Sequence, residues 1–319
     1  MPNLLRTHTL PSTDLRVSTL CYGGGAAGTV LRGKDLDRIL NAFRDAGGNF
    51  FDTAHCYSYW IENGTGASEL AFADYFRRNG GRDKVVIATK GGIPSVRGYR
   101  KVQWHLSPGR IAADIDDSLG RLDTDTIDLY WLHRDDPRVP VGEIIETLNA
   151  EARRGRVRFL GASNWATVRI AAADLYAANH GLRGFVASQP EWSLAHPVRE
   201  VRDPTTHQFN DEDRAWHERE KVPVVPYSPT AGGYFATGGQ AAQAASDNEI
   251  SRGRLRRAEP LASQLGCTPS QIALAYLMSH GFPVIPILGA KQIEHLRDGI
   301  GAADIRLTPE QLAWLRDGS

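Results

Sequence analysis

Four side chains that could carry out proton chemistry stand near the ends of three apolar runs in the first half of the sequence. They are Asp52, Tyr57, Lys90 and His133. A tyrosine, whose ordinary pKa is about 10, can give its proton to an oxyanion, and a neighbouring ammonium lowers that pKa by stabilising the phenolate. An aspartate can keep a buried lysine charged, and a histidine can donate a hydrogen bond to the same oxyanion. The set is chemically complete for carbonyl reduction, in which hydride addition creates an oxyanion that needs a proton.

The elements that must position these side chains are short apolar runs separated by amphipathic stretches. The runs are apolar throughout rather than alternating, as expected of buried parallel strands, and they predict strands at 17–22, 49–52, 84–89, 127–132, 157–162, 184–188, 223–226 and 283–287. Helices are predicted between them, and Ser107-Pro108 and Thr268-Pro269 are typical helix starts. The pattern predicts an α/β protein, a (β/α)8 TIM barrel, formed by one domain over residues 1–319.

An open doubly wound sheet is the alternative architecture for alternating strands and helices. Such a sheet usually carries a Gly-x-Gly-x-x-Gly turn after its first strand, whereas the glycine cluster at 23–28 has a different spacing. Residues 5–17 are expected to form an N-terminal β-hairpin that plugs the bottom of the barrel. Residues 227–258 are rich in Gly, Ala, Ser and Gln, and we expect them to form a long functional or mobile loop.

The composition argues against several classes of protein. Lys plus Arg and Asp plus Glu both number 37, so the net charge is zero and gives no general attraction to nucleic acid or to an anionic membrane. No apolar run approaches the length of a membrane span, and the first residues do not resemble a signal peptide, which favours the cytoplasm. Cys21, Cys56 and Cys267 are scattered, so we expect free thiols, no disulfide framework and no metal. Because Cys56 lies beside Tyr57, it is expected to be sensitive to oxidation.

Two strings of residues carry a resemblance to a known family. Residues 49–54, Asn-Phe-Phe-Asp-Thr-Ala, with Tyr57 shortly after them, resemble the second-strand signature of the aldo-keto reductase superfamily. Residues 118–122 and 127–133 resemble its central signature. The resemblance covers nearly the whole chain and implies an NADP-dependent reductase of the bacterial type. It also implies Tyr57 as general acid, Lys90 and Asp52 as the pair that tunes it, and His133 as the group that orients a small-molecule carbonyl substrate.

The resemblance further implies where a nicotinamide cofactor would bind. It assigns the polar contacts to the carboxamide to Ser163, Asn164 and Gln189, and the stacking on the nicotinamide ring to Tyr227. It places Ser228, Pro229 and Thr230 over the pyrophosphate. It also assigns a phosphate-binding helix start to Gly289, Lys291, Gln292 and His295, and a glycine pair near the first strand to Gly24 and Gly25. Amide and hydroxyl groups suit a carboxamide, which offers both donors and acceptors, and a helix N-terminus suits a phosphate.

This sequence departs from the family pattern at several of these positions. An arginine common near the cofactor's 2′-phosphate is Gln292 here, with Lys291 beside it, and a usual asparagine is Gly299. We therefore expect NADP(H) as cofactor, with NAD(H) also accepted. Gly24 and Gly25 stand where a tryptophan is frequent, which should open the pocket. Trp60 and Trp104 lie in loops over the predicted barrel mouth, and they favour a carbohydrate-like carbonyl substrate.

Two rival functions are compatible with parts of this pattern. One is a non-catalytic, redox-sensing cofactor-binding subunit that resembles the beta subunits of potassium channels, and a cofactor oxidation assay would separate it from an enzyme. The other is a lyase or isomerase that uses Lys90 as a Schiff-base amine, which borohydride trapping would reveal. The complete set of four side chains argues against the first rival, and the second would not need Ser163, Asn164, Gln189 and Tyr227 together.

Overall fold

A parallel β-sheet that curls into a barrel dominates the computed structural model, which describes residues 4–62, 64–93, 106–198, 205–240 and 246–319. A separate hairpin contains β1 (Thr7–Thr9) and β2 (Arg16–Ser18). The barrel strands are β3 (Cys21–Gly23), β4 (Phe50–Asp52), β5 (Val86–Gly91), β6 (Ile127–Leu132), β7 (Val157–Ser163), β8 (Phe185–Gln189) and β9 (Ile287–Leu288). They pair in the order β8-β7-β6-β5-β4-β3-β9, and each pair is parallel.

Isolated bridges, rather than a continuous strand, fill the seventh position of the barrel. Val224 forms one parallel bridge to Ser188 in β8 and another to Val284, which precedes β9. The sequence predicted a strand at 223–226, but Pro223 and Pro226 lack the N–H groups that a ladder needs. The predicted strand is therefore reduced to isolated bridges, and the eight-fold barrel that the sequence predicted is confirmed.

The predicted first strand is divided into two. β2 ends at Ser18 and β3 begins at Cys21, because the Ser18 hydroxyl turns back to donate to the Leu20 carbonyl oxygen at 2.7 Å. β2 belongs to the hairpin, in which Thr7 pairs with Ser18. The buried side chains of Leu10 and Leu15 share a cluster with inward-facing barrel residues. The hairpin therefore plugs the barrel, as the sequence predicted.

Helices surround the barrel and follow its strands. They are α1 (Gly33–Asp45), α2 (Ala67–Asn79), α3 (Pro108–Leu122), α4 (Val141–Arg153), α5 (Thr167–Asn179), α6 (Asp211–Glu220), α7 (Glu249–Leu265), α8 (Pro269–Met278), α9 (Ile293–Gly301) and α10 (Pro309–Asp317). Within the described residues, no helix has both the length and the apolar character needed to cross a membrane.

The predicted loop at 227–258 is shorter than expected. α7 begins at Glu249, and the side chain of Asn248 caps it by accepting a hydrogen bond from the Ser251 N–H. The sequence prediction was wrong over the last ten residues because it relied on composition and overlooked this cap. In the segment that remains, Tyr227 bridges to Glu191, and residues 228–240 form a bend and then successive turns.

The barrel interior is filled by large side chains that the strands direct inward. In β6, Leu129 and Trp131 face the interior cluster, while Tyr130 and Leu132 face the helices. Gly161 in β7 leaves room for the Trp131 ring, which a Cβ at that position would overlap. This filling leaves the carboxyl ends of the strands as the place where polar side chains can meet, and Asp52, Lys90 and His133 lie there.

Candidate active site

A buried ion pair joins the ends of β4 and β5. Lys90 and Asp52 are each 1% exposed, and the Lys90 ammonium donates to the Asp52 carboxylate, to the Thr53 carbonyl oxygen at 2.7 Å and to the Tyr57 hydroxyl at 3.1 Å. Burial by itself lowers the pKa of Lys90, but Asp52 and Tyr57 together raise it above its ordinary value. Lys90 is therefore held in its charged form, and three acceptors use its three donors.

Tyr57 lies in the turn that follows β4, with its hydroxyl on Lys90. The ammonium is also 4.8 Å from the centre of the Tyr57 ring. Burial raises the pKa of Tyr57, and the nearby Lys90 charge offsets only part of that increase. The sequence argument expected a net lowering of this pKa, which is wrong because burial is the larger effect. Tyr57 therefore holds its proton at neutral pH and can donate it.

His133 stands at the end of β6, beside Tyr57. Its backbone N–H donates to the Gly91 carbonyl oxygen at 2.9 Å, and its ring meets that of Tyr57 edge to face at 6.0 Å. Burial lowers the pKa of His133 well below its ordinary value, and the charges of Arg134 and Lys90 lower it further. The imidazole is therefore neutral at neutral pH and can donate a hydrogen bond from one nitrogen only.

Cys56 contacts this histidine, which the sequence analysis did not foresee. Its sulfur lies 3.4 Å from Nδ1 of His133, and burial raises the pKa of the thiol to about 12. A buried, protonated thiol reacts slowly with oxidants, so the structure argues against the expected sensitivity to oxidation. The only sequence signal for this contact was the position of Cys56 directly before Tyr57.

Polar side chains from β7 and β8 complete the group of residues around the ion pair. Gln189 donates to the Asp52 carboxylate at 3.1 Å, and the Ser163 hydroxyl donates to the Gln189 carbonyl oxygen at 3.0 Å. Asn164, with φ at +61°, donates to the Ser163 hydroxyl and accepts from the Tyr227 hydroxyl at 2.7 Å. The structure thus brings these four sequence-predicted cofactor residues into one network with Asp52.

The remaining predicted cofactor residues lie in two segments, one directly after Tyr227 and one around the start of α9. Ser228, Pro229 and Thr230 begin the run of turns after Tyr227. Gly289, Lys291, Gln292 and His295 are exposed around the start of α9, whose N-cap side chain makes no capping bond. The Tyr22 hydroxyl donates to the Ala290 carbonyl oxygen at 3.1 Å, which ties this helix start to β3 and places it beside the glycine pair.

The two glycines after β3 have different surroundings. A Cβ on Gly24 would lie 2.6 Å from the Ser68 hydroxyl oxygen, whereas a Cβ on Gly25 would meet nothing within 4 Å. Gly24 is therefore required for packing, and Gly25 alone leaves open space at the rim. Trp60 is 51% exposed, with its ring edge on Tyr59 at 5.2 Å, while Trp104 lies outside the described residues.

Removal of one partner from the ion pair should make stability depend on pH. In Lys90→Met, the buried Asp52 carboxylate loses its cation, so its pKa in the folded state rises further above the unfolded value of about 3.9. Such a group supports the fold below the unfolded pKa and costs stability as the pH rises. We expect the loss relative to wild type to grow between about pH 4 and about pH 8, where it should reach about 3 kcal/mol.

Urea unfolding of both proteins across this pH range measures the effect. The double variant Lys90→Met/Asp52→Asn is the matched control, because it removes both charges and should lose the extra pH dependence. A difference between Lys90→Met and wild type that stays constant with pH would show that Asp52 is not the group left unpaired.

Comparisons with known proteins agree with this arrangement. The family model for the aldo/keto reductase family matches residues 19–317. The chain is 32% identical to an uncharacterized oxidoreductase, YrpG, of Bacillus subtilis, over 97% of this chain and 94% of that protein. It is 29% identical to a probable aldo-keto reductase 1 of Glycine max, over 95% of this chain and 86% of that protein.

A solved structure supports the fold independently. The thermostable aldo-keto reductase Tm1743, in complex with the inhibitor epalrestat, superimposes with a TM-score of 0.74 at 23% identity, over 99% of this chain and all of that chain. At that identity the likeness is evidence for the barrel alone, and the family model carries the assignment. The chain belongs to the aldo/keto reductase family, whose members are oxidoreductases that act on small-molecule carbonyls with nicotinamide cofactors.

Proposed function

We propose that this protein is an NADPH-dependent reductase that converts an aldehyde, ketone or keto-sugar to the alcohol, with Tyr57 as the general acid. The observation that carries the proposal is the buried Lys90 ammonium, which contacts the Asp52 carboxylate and the Tyr57 hydroxyl together. The proposal treats residues 1–319 as one catalytic domain. A cytoplasmic location is proposed with it and agrees with three cysteines that are all unbridged.

Each of the four side chains has a separate task in this proposal. The cofactor supplies the hydride when it is bound. Tyr57 gives its proton to the substrate oxygen, and Lys90 stabilises the phenolate that Tyr57 leaves behind. Asp52 keeps Lys90 charged, since a buried lysine without a counter-ion loses its proton. Neutral His133 donates a hydrogen bond that orients the carbonyl oxygen toward Tyr57.

The network on β7 and β8 fits a nicotinamide carboxamide. Gln189 donates one N–H to Asp52, and its side-chain oxygen lies 3.4 Å from the Ser163 hydroxyl, whose single proton it shares with the Gln189 backbone carbonyl oxygen. Within the described residues this leaves Gln189 a second N–H and a second lone pair for a ligand, and a carboxamide can use both. Tyr227 is partly exposed beside this network, so its ring could pack on the nicotinamide.

Removal of the Tyr57 hydroxyl should abolish proton donation and leave cofactor binding nearly unchanged. We expect Tyr57→Phe to lower kcat by about 10²–10⁴-fold, as is typical for the loss of a general acid. Fluorescence titration with NADPH and steady-state rates measure the two quantities. Tyr176→Phe is the control, since this tyrosine is bonded to Glu146 on the outside of the barrel. More than about a tenth of wild-type turnover in Tyr57→Phe would exclude Tyr57 as the acid.

Lys291 should give a modest preference for NADPH over NADH. It is exposed just before α9, and a 2′-phosphate there would gain both a charged hydrogen bond and the favourable end of the helix dipole. We expect Lys291→Ala to weaken NADPH binding by about tenfold and to leave NADH binding nearly constant. Arg297→Ala removes an exposed cation further along the same helix and should change neither. An equal change in both constants for Lys291→Ala would exclude this contact.

We further propose a carbohydrate-like or otherwise polyhydroxylated carbonyl as the substrate. Support comes from the open space at Gly25 and from Trp60, which is half exposed in the loop after Tyr57. Aromatic faces pack on the C–H faces of sugar rings. An aromatic side chain at the pocket entrance should therefore bind a sugar ring more tightly than a plain alkyl chain.

The test compares kcat/KM for keto-sugars with kcat/KM for apolar aldehydes of similar size. We expect keto-sugars to be preferred, and we expect Trp60→Ala to lower kcat/KM for keto-sugars more than for the aldehydes. Trp314→Ala, which removes an exposed tryptophan of α10, is the control. If apolar aldehydes are preferred by more than about tenfold, or about 1.4 kcal/mol in transition-state binding, the substrate proposal is wrong.

A further inference from the structure

The neutral imidazole of His133 can exist in two forms, and only one of them can donate toward a substrate. If the proton is on Nδ1, then Nε2 is an acceptor, and if the proton is on Nε2, then Nε2 is a donor. Nδ1 faces the sulfur of Cys56 at 3.4 Å. Nε2 has no protein partner among the described residues and is not a buried orphan atom, so it is accessible to a ligand.

We infer that Cys56 is a positioning residue, whose thiol donates to Nδ1 of His133 and thereby keeps the imidazole proton on Nε2. This sets Nε2 as the donor toward the carbonyl oxygen, a last step that rests on the proposed function. Cys56 touches neither substrate nor cofactor in this account, and it acts only through the histidine.

The surroundings of the thiol decide the direction of this hydrogen bond. Cys56 is 3% exposed and packs with Ala54 and Ile93, which offer no side-chain acceptor, and Tyr57 and Tyr59 pack against this group. Nδ1 is the only acceptor that the thiol contacts within the described part of the chain. A thiol is weak both as a donor and as an acceptor, but donation to Nδ1 gives the S–H its acceptor and leaves the imidazole N–H on the accessible Nε2. An Nδ1–H that donated to sulfur would instead leave the buried S–H unpaired. Burial keeps the thiol protonated, with a pKa of about 12.

The backbone of His133 is fixed independently, which leaves the tautomer as the variable that Cys56 controls. The His133 carbonyl oxygen accepts from Asn164 at 3.1 Å and from Arg134 at 2.8 Å, and its N–H bonds to Gly91. The ring also meets Tyr57 edge to face, so loss of the thiol should leave the ring in place and change only where its proton resides.

The experiment is nitrogen-15 NMR of histidine-labelled protein without cofactor, with the His133 signals assigned by their loss in His133→Gln. We expect wild type and Cys56→Ser to show a protonated Nε2 and a bare Nδ1, because serine retains a donor. Cys56→Val should show a mixture of the two forms. Cys267→Val, at a partly exposed cysteine that packs against a different buried cluster, should match wild type.

Steady-state rates then link the tautomer to turnover. A lost hydrogen bond of this kind should lower kcat/KM of Cys56→Val about fivefold, while Cys56→Ser and Cys267→Val stay within about twofold of wild type. A protonated Nδ1 in wild type, or a Cys56→Val protein that keeps Nε2 protonated, would overturn the inference. If Cys56→Val does not fold, the wild-type and Cys56→Ser spectra decide. Because the spectra need no turnover, an inactive wild type would count against the proposed function alone.

Discussion

The structure depends most on keeping one full positive charge inside the protein. A buried ammonium survives only if its counter-ion and its hydrogen bonds are all in place, since the desolvation penalty otherwise exceeds the Coulombic gain. Lys90 meets this demand with Asp52, the Thr53 carbonyl oxygen and Tyr57. That requirement constrains the register of β4 and β5, in which Asp52 pairs with Ala88 and Lys90 lies beyond the paired residues.

The same charge acts in the same direction on its two titratable partners, Asp52 and Tyr57, but the two end in different protonation states. It favours the ionised form of Asp52 and the ionised form of Tyr57, yet burial opposes ionisation at both positions. A tyrosine starts from a pKa of about 10 and an aspartate from about 3.9, so at neutral pH the carboxyl group ionises first and takes the role of counter-ion. Tyr57 is then left protonated against a cation that will stabilise its phenolate. The ordinary pKa values of the two groups and their burial therefore together make Tyr57 the acid and Asp52 the counter-ion of Lys90.

Much of this arrangement could be predicted from the sequence. The four reactive side chains follow apolar runs, and parallel strands bring their carboxyl ends to one rim of a barrel. The short bridge at Val224 could not be predicted from hydrophobicity, because the prolines on either side limit hydrogen bonding rather than burial. The direction of the Tyr57 pKa also needed the structure, since desolvation depends on neighbours distant in the chain. The contact of Cys56 with His133 spans 77 residues, and no local pattern reports it.

One bond has a consequence for how the chain folds. Gln189 donates to Asp52 across 137 residues of sequence, so the polar shell of the ion pair includes a strand from the other half of the barrel. Contacts between residues so distant in sequence form late, after the cost of closing the intervening loop has been met. A partly folded chain in which β3 to β6 have paired would hold Lys90 and Asp52 in a wetter and less ordered setting. Recovery of activity during refolding would then follow barrel closure, and it would lag behind the signals that report helices and strands.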